Sequence, residues 1–193
     1  MRQRQAGFTL MEMIGVVAVI AILASMATPM IFDAIRNARV TAFVEDVNVA
    51  RTAVARYYED TGQFPTHIPT DTRDGRRTLI SNSASNPIGG WNGPYLETDI
   101  SNPFDEGGYR AILTSGNANY QFDLDGDGTI DTTTVAVMRI DNVSDAQARK
   151  ISDILDGDAD TTTGNGAWYA SGRVKKFGAR QNDRRLLIFL SRE

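Results

Sequence analysis

The longest apolar run in the chain lies near its start and extends from Phe8 to Phe32. As a helix it would be about 37 Å long, enough to cross a hydrocarbon core of roughly 30 Å. We therefore predict a membrane-spanning helix over residues 8–32. Pro29 cannot donate a hydrogen bond to the carbonyl of Ser25, so the sequence also predicts a kink at that point.

A single charged residue, Glu12, interrupts this run. An acidic side chain at the centre of a membrane helix costs about 2.5–3.5 kcal/mol on insertion scales, so a carboxylate here predicts a function. A neighbouring chain, displaced along the helix axis by about one turn, could place its amino terminus against this carboxylate and neutralise it. The run is therefore interpreted as an assembly device.

Two kinds of processing are compatible with the run. A secretory signal peptide would use Arg2 and Arg4 as its basic end and would be cut after Ala27. Cleavage at the abrupt change from polar to apolar residues, Gly7–Phe8, would instead leave the whole helix in the mature protein. Glu12 favours the second interpretation, because a simple signal core has no use for a carboxylate.

Beyond Pro29 the apolar residues become one-sided and recur every three or four positions, which is typical of a helix that packs along one face. This amphipathic half is predicted over residues 33–61. It should end near Gly62, since glycine suits the position after a helix and Pro65 prevents the helix from resuming. We interpret the stripe as packing against the domain that follows. Its members are Ile31, Ile35, Ala38, Ala42 or Phe43, Val47, Ala50, Val54 and Tyr57.

The rest of the chain predicts a small antiparallel sheet. Residues 63–119 are rich in turn formers and predict a structured loop. Ser144 and Gln147 match a capping box that opens a short helix ending near Leu155. Two of the predicted strands, Asn119–Leu124 and Thr132–Ile140, would pair as a hairpin. The other predicted strands are Tyr109–Leu113, a patch at Trp168–Tyr169 and Leu186–Leu190.

Within the predicted hairpin, carboxylates recur at every second residue between glycines. This spacing allows alternate side chains, with the main-chain carbonyl of Thr129, to surround a hard cation such as Ca²⁺. Thr134 occupies the place of the glutamate that closes an EF-hand-type loop, so we expect weak affinity or a ligand from elsewhere. An ordinary acidic turn is the alternative. The candidate ligands are Asp123, Asp125, Asp127, Thr129 and Asp131.

Composition narrows the function classes. The net charge is −4, and removing the two positive charges of Arg2 and Arg4 would take it to −6, which disfavours a nucleic-acid binder. Cysteine is absent, so disulfides and thiolate metal sites are excluded, and a bound metal would be one way to fix the loops. His67 is the only histidine, so no histidine dyad or zinc cluster forms within one chain, and no enzyme is predicted.

Two further charged segments are interpreted as solvated surface. In a second acidic run, Asp156–Asp160, carboxylates also recur at every second residue. Unlike the run from Asp123 to Asp131, it lacks a glycine at the corresponding position. A basic segment follows, for which contact with acidic loops of another subunit is the functional alternative. It contains Arg173, Lys175, Lys176, Arg180, Arg184 and Arg185.

The segment Gly7-Phe8-Thr9-Leu10-Met11-Glu12, followed by a long apolar helix, resembles the class III signal of type IV pilins and type II secretion pseudopilins. The resemblance implies that a prepilin peptidase cuts after Gly7 and methylates the new amine of Phe8. It also implies that Glu12 governs filament assembly. Pro29 falls where many members have a helix-softening proline.

Segments farther along the chain are also similar to major pseudopilins. Tyr58–Pro65 resembles the end of their long helix, and Trp91–Leu96 resembles their Trp-x-Gly-Pro-Tyr-Leu motif. Asn102–Asp105 departs from their next turn. A purely structural role would explain the same segments, because their aromatic residues could anchor a loop over the helix. Members bind calcium in a loop of this part of the domain, and after about Ile140 the chain exceeds the short major-pseudopilin pattern.

The resemblance implies an α+β, pilin-like fold in which a long N-terminal helix, transmembrane and then amphipathic, packs on a small antiparallel sheet. The expected parts are a leader over 1–7, an assembly helix over 8–32, its amphipathic half over 33–61 and an extracytoplasmic domain over 62–193. We expect one pass through the inner membrane, with the domain in the periplasm or outside the cell.

The implied function is that of a structural filament subunit, above all of a type II secretion pseudopilus that helps move folded proteins across the outer membrane. Implied partners are further copies, other pilin-like subunits, the prepilin peptidase and an inner-membrane assembly platform. The alternatives are a major or minor type IV pilin for adhesion, motility or DNA uptake, and a membrane-anchored calcium-dependent binding module. Exposed aromatic side chains at Trp91 or Trp168 would favour the binding module.

Overall fold

The computed structural model describes residues 8–65, 79–82, 87–104, 112–114, 121–125, 127, 129–132, 135–157, 172–177 and 185–192. They belong to two compact units, the first ending at Arg39 and the second beginning at Val40. Several features of the sequence lie outside the described residues. These are the leader 1–7, His67, Asp158–Asp160, Trp168–Tyr169 and part of the basic segment.

A single helix, α1, runs from Leu10 to Thr61. It passes through Pro29 without a break, so a kink there stays a prediction. The hydroxyl of Thr28 donates to the carbonyl of Ala24 at 2.7 Å, one turn away. The helix ends where the sequence predicts, because Gly62 adopts a left-handed φ of 68° and its N–H bonds to the carbonyl of Tyr58 at 2.8 Å.

In the first unit the side chains of α1 are exposed on every face. The helix is long and apolar enough to cross a membrane, and none of its most apolar window is buried within the protein. Ile31 and Ile35 were expected to begin the packed stripe, yet they are 57% and 44% exposed. The expected stripe is therefore wrong in its first part, since no element of the same unit covers it among the described residues.

In the second unit α1 buries one face, as the periodicity predicts. Phe43, Val47 and Val54 are fully buried, and Phe43 meets Phe104 edge to face with 5.5 Å between ring centroids. Spacing of three and four residues places these side chains on one side of the helix. The buried face consists of Val40, Phe43, Val44, Val47, Ala50, Ala53, Val54 and Tyr57.

Among the described residues, four antiparallel strands form one sheet in the order β1-β2-β4-β3. Their bounds are Ile112–Thr114 for β1, Val135–Ile140 for β2, Val174–Phe177 for β3 and Arg185–Arg192 for β4. The register between β2 and β4 shifts after Ala136, so Leu190 has no partner in β2. The predicted strand at Leu186–Leu190 is confirmed.

The two faces of the sheet bury two separate apolar clusters. Ala136, Met138 and Ile140 of β2 join the buried face of α1 in the main core. Val135 and Val137 point the other way and pack with Phe122 and Leu187. β2 is therefore covered on both faces, and of its six residues only Arg139 is charged and half-buried.

The predicted hairpin between Asn119–Leu124 and Thr132–Ile140 is wrong. Residues 121–124 form no strand, because β1 and β4 already occupy both edges of β2. Instead, this segment lies over the second face, where Phe122 donates its N–H to Thr132 Oγ1 at 3.1 Å and accepts from the Asp131 N–H at 3.0 Å. The alternating apolar residues there do not pair as a strand. They place the ring of Phe122 in the second apolar cluster.

The second helix, α2, runs from Asp145 to Asp156 and confirms the predicted capping box. Ser144 accepts from the N–H of Gln147, whose side chain returns a bond to the Ser144 N–H. Gly157 ends the helix in the left-handed conformation. Both helix ends are therefore satisfied by residues that local sequence identifies.

Candidate assembly site

Glu12 lies in the first turn of α1, and Thr9 holds its carboxylate. Oε2 of Glu12 accepts from the Thr9 N–H at 2.8 Å and from the Thr9 hydroxyl at 2.9 Å. The Thr9 Oγ1 in turn accepts from the Glu12 N–H at 3.3 Å. This is a capping box, with Thr9 before the helix and Glu12 three residues later.

The capping arrangement uses only one oxygen of the carboxylate. The described residues provide no further hydrogen-bond partner or cation for Glu12, so Oε1 stays available. Phe8, beside it, is 83% exposed, and Gly7 lies outside the described residues. A carboxylate with one oxygen held and one open can accept a cation from another molecule.

Sequence reasoning identifies Glu12 as a charge in lipid but misses Thr9 as its holder. The signal was present, because Thr-x-x-Glu before an apolar run matches the capping-box pattern. The box supplies two of the helix's unpaired N–H groups with an acceptor. Glu12 thus caps its own helix before any second chain arrives.

The loop that contains the predicted calcium ligands, here called the acidic loop, brings three of them together. One carboxylate oxygen from each of Asp123, Asp125 and Asp131 lies within 4.8 Å of the others. Asp125 and Asp131 are exposed, whereas Asp123 is half-buried. Carboxylate oxygens at this separation form a donor set that suits Ca²⁺.

Asp127 does not belong to that group. Its carboxylate accepts from the Thr129 hydroxyl and from the Thr129 N–H, the latter at 2.7 Å. These two bonds lower the pKa of Asp127, the hydroxyl contributing more. The structure therefore gathers Asp123, Asp125 and Asp131, and it does not place Asp127 with them.

Hydrogen bonds hold the acidic loop together and tie it to the domain. The Asp131 carboxylate accepts from the Leu124 N–H at 2.6 Å, and the Asp123 carbonyl accepts from the Gly172 N–H at 2.7 Å. Lys175 reaches the carbonyl of Gln121 at 2.9 Å. The start of the loop is therefore joined to residues distant in sequence, and its end is bonded back to its start.

The interpretation of the second acidic run as solvated loop is wrong for Asp156. Its carboxylate accepts from the Arg173 N–H at 2.9 Å and from the Ser152 hydroxyl at 3.4 Å. A Cβ atom on Gly172 would lie 2.8 Å from Asp156 Oδ2. Asp156 thus connects the end of α2 to the start of β3, where Arg173 belongs to the basic segment predicted as solvated.

Arg51 is a further residue that sequence reasoning misses. It lies on α1, and its guanidinium donates to the carbonyl of Phe189 at 3.1 Å, beside the register shift in β4. Burial lowers the pKa of Arg51, and the nearby Arg173 adds to this effect, while Asp156 opposes it. No pattern in the sequence distinguishes it from the exposed arginines of the same helix.

The aromatic motif at Trp91–Leu96 anchors a loop to the end of α1, as the structural interpretation predicts. The Tyr95 hydroxyl donates to Asp60 at 2.7 Å, and its ring meets Tyr57 at 5.5 Å and Trp91 at 5.7 Å. Trp91 is half-buried against the main core. The motif is therefore used in packing.

A long apolar helix with a glutamate in its first turn, continued onto a small antiparallel sheet, defines the class of pilin-like proteins. The prokaryotic N-terminal methylation motif matches residues 2–28, and the family described as PilW, C-terminal, matches residues 34–121. The chain therefore carries the N-terminal methylation motif, and it is homologous to a type II secretion pseudopilin and to type IV fimbrial proteins.

The curated relatives include a type II secretion system protein and fimbrial proteins. Type II secretion system core protein G of Pseudomonas aeruginosa is 27% identical over 121 residues, covering 54% of this chain and 82% of that protein. Type IV major fimbrial protein FimA of Dichelobacter nodosus is 33% identical over 51% of this chain and 55% of its own. Fimbrial protein EcpC of Eikenella corrodens is 35% identical over 34% and 42%. The chain thus spans about half the length of the two fimbrial relatives, and no solved structure gives a significant match.

Proposed function

We propose that this pilin-like filament subunit belongs to a type II secretion pseudopilus, which helps move folded proteins across the outer membrane. The observation that carries the proposal is the state of Glu12. Its carboxylate has one oxygen held by Thr9 and one without a partner in the part of the chain that the structure describes, at the head of a helix whose side chains are exposed on every face up to Arg39. The proposed work is mechanical, and we propose no enzymatic activity.

Before assembly, the subunit is a single-pass protein of the inner membrane with its domain in the periplasm. The prepilin peptidase removes the leader after Gly7 and methylates the amine of Phe8. Assembly on the inner-membrane platform then transfers the surface of residues 8–32 from lipid to neighbouring helices. Lipid tails are as apolar as these side chains, so the transfer itself contributes little, and packing and polar contacts decide the association.

Glu12 supplies the polar contact that sets register. The open oxygen accepts the cationic amine of a neighbouring Phe8, which removes an unpaired charge from the apolar interior of the filament. Pairing at any other axial offset leaves both charges unpaired. One carboxylate therefore selects one displacement between copies.

The match to core protein G favours the pseudopilus over a retractile or adhesive pilus. It extends over 82% of that protein, whereas the fimbrial matches cover 55% and 42%. A major or minor type IV pilin is the alternative. Deleting the gene in its natural host distinguishes the two, because loss of protein secretion with normal surface pili supports the pseudopilus, and loss of surface pili with normal secretion supports the pilin.

The test of the assembly role is Glu12→Ala in the full chain, expressed with its peptidase and platform. We expect normal cleavage and membrane insertion, a folded domain and loss of sheared filaments, because no other charge between residues 8 and 32 can replace the carboxylate. Glu45→Ala is the matched control, since Glu45 is an exposed carboxylate on the same helix outside that segment. Normal filaments from Glu12→Ala would refute the role.

We also propose that the acidic loop binds calcium through Asp123, Asp125 and Asp131. The convergence of these three carboxylates supports the proposal, and their donor chemistry suits Ca²⁺. The ion would supply positive charge between groups that otherwise repel one another, and it would hold the loop over the apolar cluster around Phe122. The calcium-dependent binding module remains a less favoured alternative, since Trp91 is engaged in packing.

The calcium proposal is tested by titrating the chelated protein while following its melting temperature. We expect millimolar Ca²⁺ to raise the midpoint of the natural chain and not that of Asp125→Asn, because a ligand that binds only the folded state stabilises it. Glu59→Gln, at an exposed site on α1, serves as the control. A midpoint that does not respond to calcium in the natural chain would refute the site.

A further inference from the structure

Two arginines follow the apolar span of α1 within two turns of helix. The 20 residues from Met13 to Phe32 contain no charged side chain. As a helix they measure about 30 Å, which equals the thickness of a typical hydrocarbon core. The charge-free stretch therefore fits the core from end to end, and Asp33 marks its boundary on the side of the domain. Arg36 and Arg39 lie beyond that boundary.

Helix geometry places both guanidinium groups at the depth of lipid headgroups. With a rise of about 1.5 Å per residue, Arg36 is about 6 Å and Arg39 about 10 Å past Phe32. Side chains of a helix point toward its N-terminus, so these two point back toward the bilayer. The polar layer outside the core is roughly 5–7 Å thick on each side, and a long arginine side chain reaches it from either position.

Neither arginine is used to fold the protein's own core. All residues from 33 to 39 are exposed, and Arg39 has no hydrogen-bond or ion-pair partner among the described residues. Arg36 meets Asp33 at 3.5 Å, in a pair whose side chains are 65% and 70% exposed. An ion pair as open as this contributes little to stability, and it leaves most of the guanidinium donors of Arg36 unused. Both arginines therefore retain donors for an external anion.

Arg36 and Arg39 also lie close together on α1. They are three residues apart, a spacing at which helical side chains are neighbours. Like charges on neighbouring positions repel each other, and Asp33 pairs with only one of the two. A phosphate group matches the fork of a guanidinium and carries the charge that both arginines lack. An anion of this kind would therefore satisfy both side chains.

Their position separates these two arginines from the others of α1. Arg51 and Arg56 belong to the second unit, and Arg51 already donates to the carbonyl of Phe189. Among the arginines of α1, only Arg36 and Arg39 lie in the unit that carries the span. The anion nearest to them in a membrane is the phosphate of a phospholipid.

We propose that Arg36 and Arg39 together bind the phosphate groups of anionic phospholipids in the leaflet on the side of the domain. The inference rests on the membrane-spanning state in the proposed function, and it adds a lipid contact that fixes the depth of the unassembled subunit. Sliding inward would draw two charges into the hydrocarbon core, and sliding outward would separate them from the phosphates. A subunit that enters a filament must give up this contact.

The lipid selectivity of the full chain in vesicles tests the contact. The chain contains no cysteine, so Ala38→Cys, at an exposed site, provides a single position for a fluorescent dye. The vesicles consist of phosphatidylcholine with a small fraction of either phosphatidylglycerol or phosphatidylcholine that carries a quencher. A quencher that acts at close range reports only the leaflet on the side of the dye. We expect phosphatidylglycerol to be enriched by at least about fivefold, which is the contribution of one arginine near an anionic surface.

Substitutions at the two arginines show whether they cause the enrichment. Arg36→Gln with Arg39→Gln should abolish the enrichment, whereas Arg36→Lys with Arg39→Lys should keep most of it, because the charges remain. Arg56→Gln is the matched control, since Arg56 is an exposed arginine of α1 in the second unit, and it should change nothing. Full enrichment in the glutamine variant would overturn the assignment.

Inorganic phosphate separates a lipid headgroup from a free anion. Equal enrichment in phosphate and in chloride of the same ionic strength supports the lipid. Loss of enrichment in phosphate alone would mean that a soluble anion is the ligand, which overturns the proposal.

The measurement uses unassembled subunits, so its result does not depend on the filament. No enrichment with the natural arginines would overturn the lipid contact and leave the role of Glu12 intact. Enrichment together with normal filaments from Glu12→Ala would support the contact while the assembly role fails. A chain that does not span the vesicle membrane would overturn that part of the proposed function and this inference with it.

Discussion

The two parts of α1 contain the same kinds of apolar residue, but the surroundings of those residues differ. From residue 8 to 39 the side chains are exposed all round, whereas from Val40 onward one face is buried by the chain's own sheet and loops. The second part completes a core within one molecule. The first part has nothing of its own unit to cover it among the described residues, so it depends on lipid or on other helices. One helix thus serves both folding and assembly.

The largest expected difference between the two parts concerns domain stability. Phe43→Ala should lower the free energy of unfolding by about 3–5 kcal/mol, because it empties a fully buried site beside Phe104. The melting midpoint in detergent should fall by roughly 10 °C. Ile20→Ala, at a site that is 58% exposed, should change the free energy of unfolding by less than about 0.5 kcal/mol. Equal losses from both variants would show that the two parts unfold as one.

A smaller effect is expected where the C-terminal strands are joined to α2. Gly172 has a φ of 88°, and an added methyl group would press on the Asp156 carboxylate. Gly172→Ala should therefore destabilise the second unit by about 1–3 kcal/mol. Gly157→Ala has a similar φ of 74° but no atom within 4 Å, so it isolates the cost of backbone conformation. Equal effects in chemical denaturation would show that the Asp156 contact adds nothing.

The smallest effect concerns the cost of the charge on Asp46, a half-buried residue of α1. Burial raises its pKa in the folded state, so protonation favours folding, and stability is lost as the pH rises through the folded value. Asp46→Asn should therefore raise the melting midpoint of the unassembled protein at pH 7 by about 1–2 °C, since solvent screens most of the charge. The gain should vanish below the ordinary pKa of 3.8. A gain that persists at lower pH would point to packing, not charge.

Local patterns predicted the elements that are determined locally. The end of α1 at Gly62, the capping box at Ser144 and the strand around Leu187 all follow from residues close together in sequence. The packed face of α1 also follows from its spacing, although the stripe begins at Val40 and not at Ile31. Periodicity records which side is apolar, but it does not record which turn first meets the domain.

Non-local contacts account for only part of what the sequence missed. Residues 121–124 alternate like a strand, yet the sheet has no free edge of β2 to receive them. The acidic loop is a local case, because spacing identifies five ligands but the carboxylate of Asp127 accepts from Thr129, two residues away. Among the candidate sites, sequence reasoning found Glu12 and missed its partner Thr9, although they are only three residues apart.

The sequence by itself determined that a long apolar helix bears one carboxylate at its head and continues into an amphipathic half, because length, spacing and charge are properties of a continuous segment. Only the tertiary structure decided the strand order, the bond from Arg51 to the Phe189 carbonyl and the cleft that Asp46 shares with residues 95–101. Each of these joins residues far apart in the chain, and which of many similar polar side chains becomes half-buried depends on the surface that folds against it.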